Sequence, residues 1–448
     1  MHPSRRDILR VGTLAVPLSG SLPALVAAPS HHTARAVILL FMDGGPSHID
    51  LFDMKPNAPV EIRGPFKPIN TSVPGVRVCE HLPRLATRMH HILQIRSVRH
   101  TDAIHDPAVY LTLTGKRHPT PLGGLRVSPD DAPHAGSLFT ALTTGGVSAV
   151  PRFIELPETM KMEGRRLPGQ NGGLLGNGGD PYRCEVTASA EVVTPPFGLP
   201  EGVDADRLLL RGNLRDSLDK QLFAAESGFD QTRRSAVELL ASSKLRAAFD
   251  LTQESEKVRD AYGRYRHGQS VLLARRLVEA GSRFVTVYWG KEEQDWADGV
   301  KARVANNPWD THRNHFPLLK DSLLPRADRT FSALIDDLQA RGLLNDVLVV
   351  WMGEFGRTPF IAKQWASRDH WPGANTILLA GAGVAAGHVL GQTDGRAAEV
   401  IDGAVSPADV TATMLTVLGA DPKSEIHDRQ GRPFSACDGS TISRAFTG

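Results

Sequence analysis

The chain has 448 residues, 41% of them hydrophobic and 22% charged, the balance of an ordinary globular protein. Formal net charge is +2, and setting aside Arg5, Arg6, Asp7 and Arg10 leaves 48 basic against 48 acidic side chains. A neutral body of this kind has no bulk field to gather nucleic acid or an anionic membrane, so any anionic substrate must be held by local charge, such as a metal or a placed arginine.

The first 30 residues read as a leader. Ser4-Arg5-Arg6-Asp7-Ile8-Leu9-Arg10 precedes an apolar run to about Ala28 that is broken by Pro17, Gly20 and Pro23. The run is too interrupted for a membrane span, and the small residues Ala27 and Ala28 suit a signal peptidase. The arginine pair followed by a hydrophobic residue resembles a twin-arginine export signal, with an ordinary basic signal peptide as the alternative. Export to the periplasm or beyond follows, with the twin-arginine machinery as a partner. That route carries folded proteins, often with a metal or cofactor aboard. No other segment nears the roughly 20 apolar residues of a membrane span, so neither a stable span nor a nucleic-acid partner is expected.

Next comes "AVILLFMDGG", a short apolar run without alternation that ends in an acid and two glycines. Such a run predicts a strand buried on both faces, as in parallel sheets. Similar runs follow: "HILQIRSV", "RFVTVYW", "DVLVVWM" and "TILLAG". The stretch "RHTDAIHDPAVYLTLTG", Arg99 to Gly115, reads as a loop entering a helix that a glycine ends. "PRADRTFSALIDDLQARG" puts Ala327, Phe331, Leu334 and Leu338 on one helical stripe and stops at Gly342. "SPADVTATMLTVLG" opens with a Ser406 cap and Pro407 in the first turn and ends at Gly419. Strand and helix alternation predicts a doubly wound, mostly parallel α/β sheet with helices on both faces, over 36–448.

Residues 150–280 break the pattern. A glycine- and proline-rich stretch, "LPGQNGGLLGNGGDP", is followed by polar helices. They are expected as a helical insertion or subdomain over the sheet. The glycine run lacks phosphate-loop spacing. Arg165-Arg166 could line a substrate entrance or a docking site there, or be a solvated turn. Three cysteines, Cys79, Cys184 and Cys437, are too few for a disulfide scaffold and show no zinc spacing. One bridge with one thiol, or three free thiols, both remain open.

In open α/β sheets ligands bind beyond the C-terminal ends of strands. Those ends here carry Asp43 and His48; then His105 and Asp106; then Asp310, His312 and His315; then Glu354 and Arg357. Asp369 and His370 stand just before "TILLAG". Each alone has a bland reading as a cap, a core histidine or an ion pair. Repeated use of one sheet edge points instead to a divalent cation. Zinc, manganese, magnesium and calcium all suit mixed imidazole and carboxylate ligands, according to how many histidines ligate.

"GGPSHIDLFD", "WDTH", "GEFGRTP", "RDHW" and "GQTDG" resemble domain-of-unknown-function family 1501, an exported bacterial group, almost across the mature chain. More distantly the chain resembles the alkaline phosphatase/sulfatase superfamily. That second resemblance implies metal ligands at Asp43, Asp310, His312, Glu354 and His370, with His315 as a spacing alternative. Phe355 stands where the superfamily has a ligating His or Asn, so one ligand is missing. Sulfatases carry a Cys or Ser nucleophile, a Pro two residues on, an Arg four on and "LTG" ending ten on. Pro107 and Gly115 keep that register, which puts His105 in the nucleophile's place and Val109 in the arginine's. The helix N-terminus there suits a tetrahedral anion. His105 is open to three roles: nucleophile, general acid or base beside metal-activated water, or a further ligand. Arg357 is expected to stabilise charge on the transferred group or to form a structural pair with Glu354 or Asp369. The resemblance thus implies a metal-dependent hydrolase of phosphate or sulfate esters, acting on a small-molecule or saccharide anionic ester. A degenerate metal- or anion-binding protein is the alternative.

Overall fold

In the computed structural model the described residues are 34–143, 150–193, 242–290 and 307–446, with 207, 210–212, 214 and 239 in addition. The leader lies outside the described residues. Eight strands form one sheet: β1 (Ala36–Phe41), β2 (Ile92–Val98), β3 (Phe153–Leu156), β4 (Tyr182–Arg183), β5 (Phe284–Tyr288), β6 (Val347–Met352), β7 (Asn375–Ala380) and β8 (Val389–Leu390). Their spatial order is β8-β2-β7-β6-β1-β5-β3-β4. β7 runs antiparallel to both its neighbours, β6 and β2. The remaining pairs are parallel.

The apolar runs are continuous because both faces of the sheet are covered. Along β1, Val37, Leu39 and Phe41 enter one core and Ile38 and Leu40 the other. The first core is closed by α1 (His105–Thr114), α2 (Ala135–Leu142) and α5 (Pro407–Val417), through Val109, Leu113, Leu138, Phe139, Val410 and Met414. The second is closed by α3 (Arg266–Ala280) and α4 (Leu324–Ala340), through Leu272, Leu273, Leu277, Phe331, Leu334 and Leu338. The architecture is a doubly wound α/β sandwich. On α4 the expected stripe of Ala327, Phe331, Leu334 and Leu338 is buried. On α5, Ser406 and Asp409 form a reciprocal capping box ahead of Pro407. α1 is buried at all ten positions, and Gly115 ends it in the left-handed conformation.

The stretch 150–280 joins the main sheet and its cover. β3 pairs with β5, β4 pairs with β3, and α3 packs on the second core. β4 is two residues long and β3 four, too short to show a period. The glycine-rich residues between them form 3₁₀ turns. Arg165 is tied to Asp106 at 3.0 Å. Most of 194–241 lies outside the described residues. All three cysteines are free and buried. Among the described residues no helix is long and apolar enough to cross a membrane.

The reversed strand matters for the site. Because β7 is antiparallel, its beginning, not its end, lies at the rim formed by the C-terminal ends of β1, β5 and β6. Asn375 at its start is opposite Val98 at the end of β2. Residues just before β7 therefore meet residues just after the parallel strands.

Candidate metal centre

Five chain segments meet at this rim: Asp43–Gly44 after β1, His100–His105 after β2, Asn307–His312 beyond β5, Glu354–Arg357 after β6, and Asp369–His370 before β7. Gly44 makes the meeting possible. Its φ is +116°, and a Cβ there would stand 2.2 Å from the backbone nitrogen of Asp310, a contact only glycine avoids.

The imidazoles of His312 and His370 are held in defined tautomers. His370 Nδ1 donates to the carbonyl oxygen of Ala103 at 2.8 Å. His312 Nδ1 donates to Asp369 Oδ1 at 2.8 Å. In the neutral rings both Nε2 atoms are then bare lone pairs. They stand 2.8 Å apart, and 2.9 Å and 3.0 Å from Asp310 Oδ1. Three lone-pair atoms cannot face one another at this range without positive charge among them. A backbone carbonyl or a carboxylate behind each ring is the arrangement that orients histidine ligands.

His105 completes the set. Its Nδ1 donates to Glu354 Oε1 at 2.7 Å, and its buried Nε2 has no hydrogen-bond partner while lying 3.3 Å from Asp310 Oδ2. His105, Asp310 and His370 each offer a ligand atom within 4.8 Å of the others. The electrostatics show a site that draws positive charge, supplied by protons on the rings where no cation is bound. Burial favours a neutral His105, but the Asp310 and Glu354 carboxylates outweigh it and push the ring up to about 10. Burial raises Asp310 too, yet the three imidazoles and Arg357 hold it well below the usual carboxylate range. Burial keeps His370 below its ordinary value. The donor set therefore fits a divalent cation.

Asp43 and Glu354 stand beside rather than inside this set. Burial, and then the Glu354 charge, raise Asp43 well above its ordinary value. Its Oδ1 accepts from Asn307 Nδ2 at 2.6 Å. It also bounds a cavity of about 190 Å³ with Glu158, Lys161, Tyr288 and Trp289. A larger cavity of about 440 Å³ lies by Ala36 and Arg283, at the starting ends of β1 and β5, away from these groups. Glu354 is turned from the three bare lone pairs. Both its oxygens accept the Gly44 N–H, at 3.0 and 3.2 Å, and Oε1 also takes the His105 proton. It stands as the carboxylate behind the His105 ring.

Arg357 is paired with Asp310, not with Glu354 or Asp369. It is wholly buried, and it donates to the carbonyls of Gly44, Gly45, Trp309 and Arg368 and, at 2.8 Å, to Asp310 Oδ1. It braces the loops that meet at the rim. His315 lies outside the centre, bonding Asp50 at 2.9 Å in a buried network with Arg368. His48 bonds the Ala397 carbonyl at 2.8 Å. Asp106 accepts the Leu125 N–H and pairs with Arg165. Phe355 is buried, with ring centroids 5.0 Å from His105 and 4.4 Å from His370, and forms an apolar wall beside both rings. Sequence reading passed over Asn307, which has no motif to mark it. It also missed the Ala103 carbonyl, since a backbone acceptor leaves no signature. His100 was visible as a histidine near a strand end, but its bond to the Glu354 carbonyl, 2.7 Å, was not.

No curated protein matches the chain. Among solved structures it is similar to a phosphonate monoester hydrolase from Silicibacter pomeroyi, with 13% identity over 92% of this chain and 77% of that one, at a TM-score of 0.40. The PsFucS1 sulfatase from Pseudoalteromonas sp. matches at 12% identity over 93% and 74%, TM-score 0.41. An alkaline phosphatase from the Antarctic bacterium TAB5 matches at 9% identity over 87% and 99%, TM-score 0.39. A family model described as a protein of unknown function, DUF1501, matches residues 34–446, and the chain therefore belongs to the DUF1501 family.

Proposed function

We propose that this protein is an exported, metal-dependent hydrolase of phosphate or sulfate esters. One observation carries the reading: the bare Nε2 atoms of His312 and His370 and a carboxylate oxygen of Asp310 lie within 3.0 Å of one another, with the unpartnered Nε2 of His105 alongside. These four residues would hold the cation. A nitrogen-rich set favours zinc or manganese over magnesium or calcium. A bound divalent ion supplies Lewis-acid polarisation of an ester oxygen and makes water more acidic.

The chain's own groups do the rest. Glu354 fixes the tautomer of His105 and keeps its Nε2 turned to Asp310. Of the three roles open to His105, this geometry favours ligand. Asp43, at the wall of the small cavity, is placed to hold or release a proton at a group seated there. Lys161 at the cavity edge draws in an anionic small-molecule or saccharide ester. Export rests on the Arg5-Arg6 leader, and replacing both with lysine should leave the protein in the cytoplasm.

The test is elemental analysis of natively exported protein followed by turnover of aryl phosphates and aryl sulfates. The expected result is a stoichiometric divalent metal, and hydrolysis that disappears with metal content in His370→Ala. A second reading, a metal- or anion-binding protein without turnover, is favoured by Phe355 in the ligand's place. Metal without cleavage across a broad ester panel would decide for it.

A further inference from the structure

The arginines around the centre are mostly neutralised. Arg117 pairs with Asp102, Arg165 with Asp106, Arg357 with Asp310 and Arg368 with Asp50. Arg313, the residue after His312, is exposed and makes no ion pair among the described residues. Its guanidinium lies over the indole of Trp365, 4.2 Å from the ring centroid. Trp365 is itself 47% exposed, unusual for so large an apolar side chain.

The pair is built into the backbone on both sides. Ser367 Oγ donates to the carbonyl oxygen of His312 at 2.6 Å, binding the Trp365 loop to the ligand loop. Ala362 N–H closes the same loop onto the Ser367 carbonyl at 2.7 Å. Asn314 and Ala366, each immediately after one member of the pair, sit at φ +53° and +46°. Asparagine enters the left-handed region readily, but at Ala366 that backbone is costly, and such strain collects at functional sites.

Stacking removes rotamer freedom from a long side chain while leaving its N–H edge free. A guanidinium held this way is prepared for two oxygens of a tetrahedral anion. Arg357 is not available for this, being consumed by carbonyls and Asp310. We infer that Arg313, seated on Trp365 and one residue beyond His312, binds the anionic group of the substrate. The ligand class is a phosphate or sulfate ester, and Trp365 is the residue that positions the arginine. The inference rests on the hydrolase reading for its substrate, but binding can be measured without turnover.

The experiment titrates inorganic phosphate, and separately sulfate, into the metal-loaded full chain by calorimetry. Arg313→Met should weaken the preferred anion about tenfold, the loss of one charge-assisted hydrogen-bonding group. Trp365→Ala should weaken it about threefold through lost preorganisation, and Arg313→Lys should not restore wild-type affinity. Metal content should stay unchanged in all three. With an aryl ester, Arg313→Met should raise KM and leave kcat within about twofold. Anion affinity unchanged in Arg313→Met overturns the inference, as does failure of the wild type to bind either anion. Loss of metal in that variant overturns it too, by making Arg313 structural. Arg313-dependent anion binding without ester cleavage would support the inference while removing the hydrolase reading.

Discussion

Glu354 stands behind His105: the imidazole Nδ1 donates to its Oε1 at 2.7 Å, and the Gly44 N–H caps both carboxylate oxygens. The acid thus fixes the orientation of the imidazole. Glu354→Gln keeps an acceptor in place but removes the charge that makes the imidazole a better donor to a cation. Metal affinity should fall 10- to 100-fold, roughly the range for groups behind a ligand, with little change in unfolding midpoint. Competition against a chelating dye measures it; an affinity reduced far more would return Glu354 to the ligand set.

Arg357→Met should be strongly destabilising. The guanidinium is wholly buried and serves four backbone carbonyls besides Asp310. Removing it leaves a buried carboxylate less compensated, a loss of about 3–5 kcal/mol. Urea unfolding of metal-free protein reports this directly. A variant as stable as wild type would show that the residue is kept for chemistry rather than bracing.

Gly44→Ala tests the convergence of the loops. A Cβ at φ +116° would meet the Asp310 backbone at 2.2 Å, and backbone on that side has no flexible atom to give way. The expected cost is about 3 kcal/mol or more from strain and overpacking together, with metal content falling as Asp310 is displaced. Full metal occupancy in a normally stable variant would contradict the placement of the Asp310 loop against Gly44.

Acid sensitivity should come partly from two buried histidines that are not among the candidate ligands. Burial lowers His134 and His267 to about 3, against about 6.5 in an unfolded chain. The unfolded state therefore takes up protons first. Stability from these rings is complete above about pH 6.5 and declines as pH falls toward about 3. His134 Nδ1 also accepts the Gly136 N–H at 2.9 Å, a cap that asparagine could retain. His134→Asn should lower stability at pH 7, through the lost stack on Phe153, while flattening the decline across this window. Urea midpoints at several pH values check the sign; a variant with wild-type slope would remove His134 from the account.

The sheet was legible in the sequence wherever burial on both faces writes a continuous apolar run, as in "AVILLF" and "VLVVWM". Helices α4 and α5 were legible by stripe and cap. β3 and β4 were not, because four and two residues carry no period. The roster of rim residues was mostly visible too, since acids and histidines after strand ends are conspicuous. Their orientation was not. Nothing in "GEFGRTP" says that Glu354 turns toward Gly44 or that Arg357 is used up by carbonyls.

What the chain alone determined is thus which residues arrive at the rim, because strand length and polarity are local properties read residue by residue. What the tertiary structure decided is how they meet. The reversal of β7 brings His370 to the same edge as Asp310, and the Ala103 carbonyl chooses which imidazole nitrogen is bare. Both depend on contacts between segments hundreds of residues apart, 267 positions in the case of Ala103 and His370, and no local pattern encodes a partner at that distance.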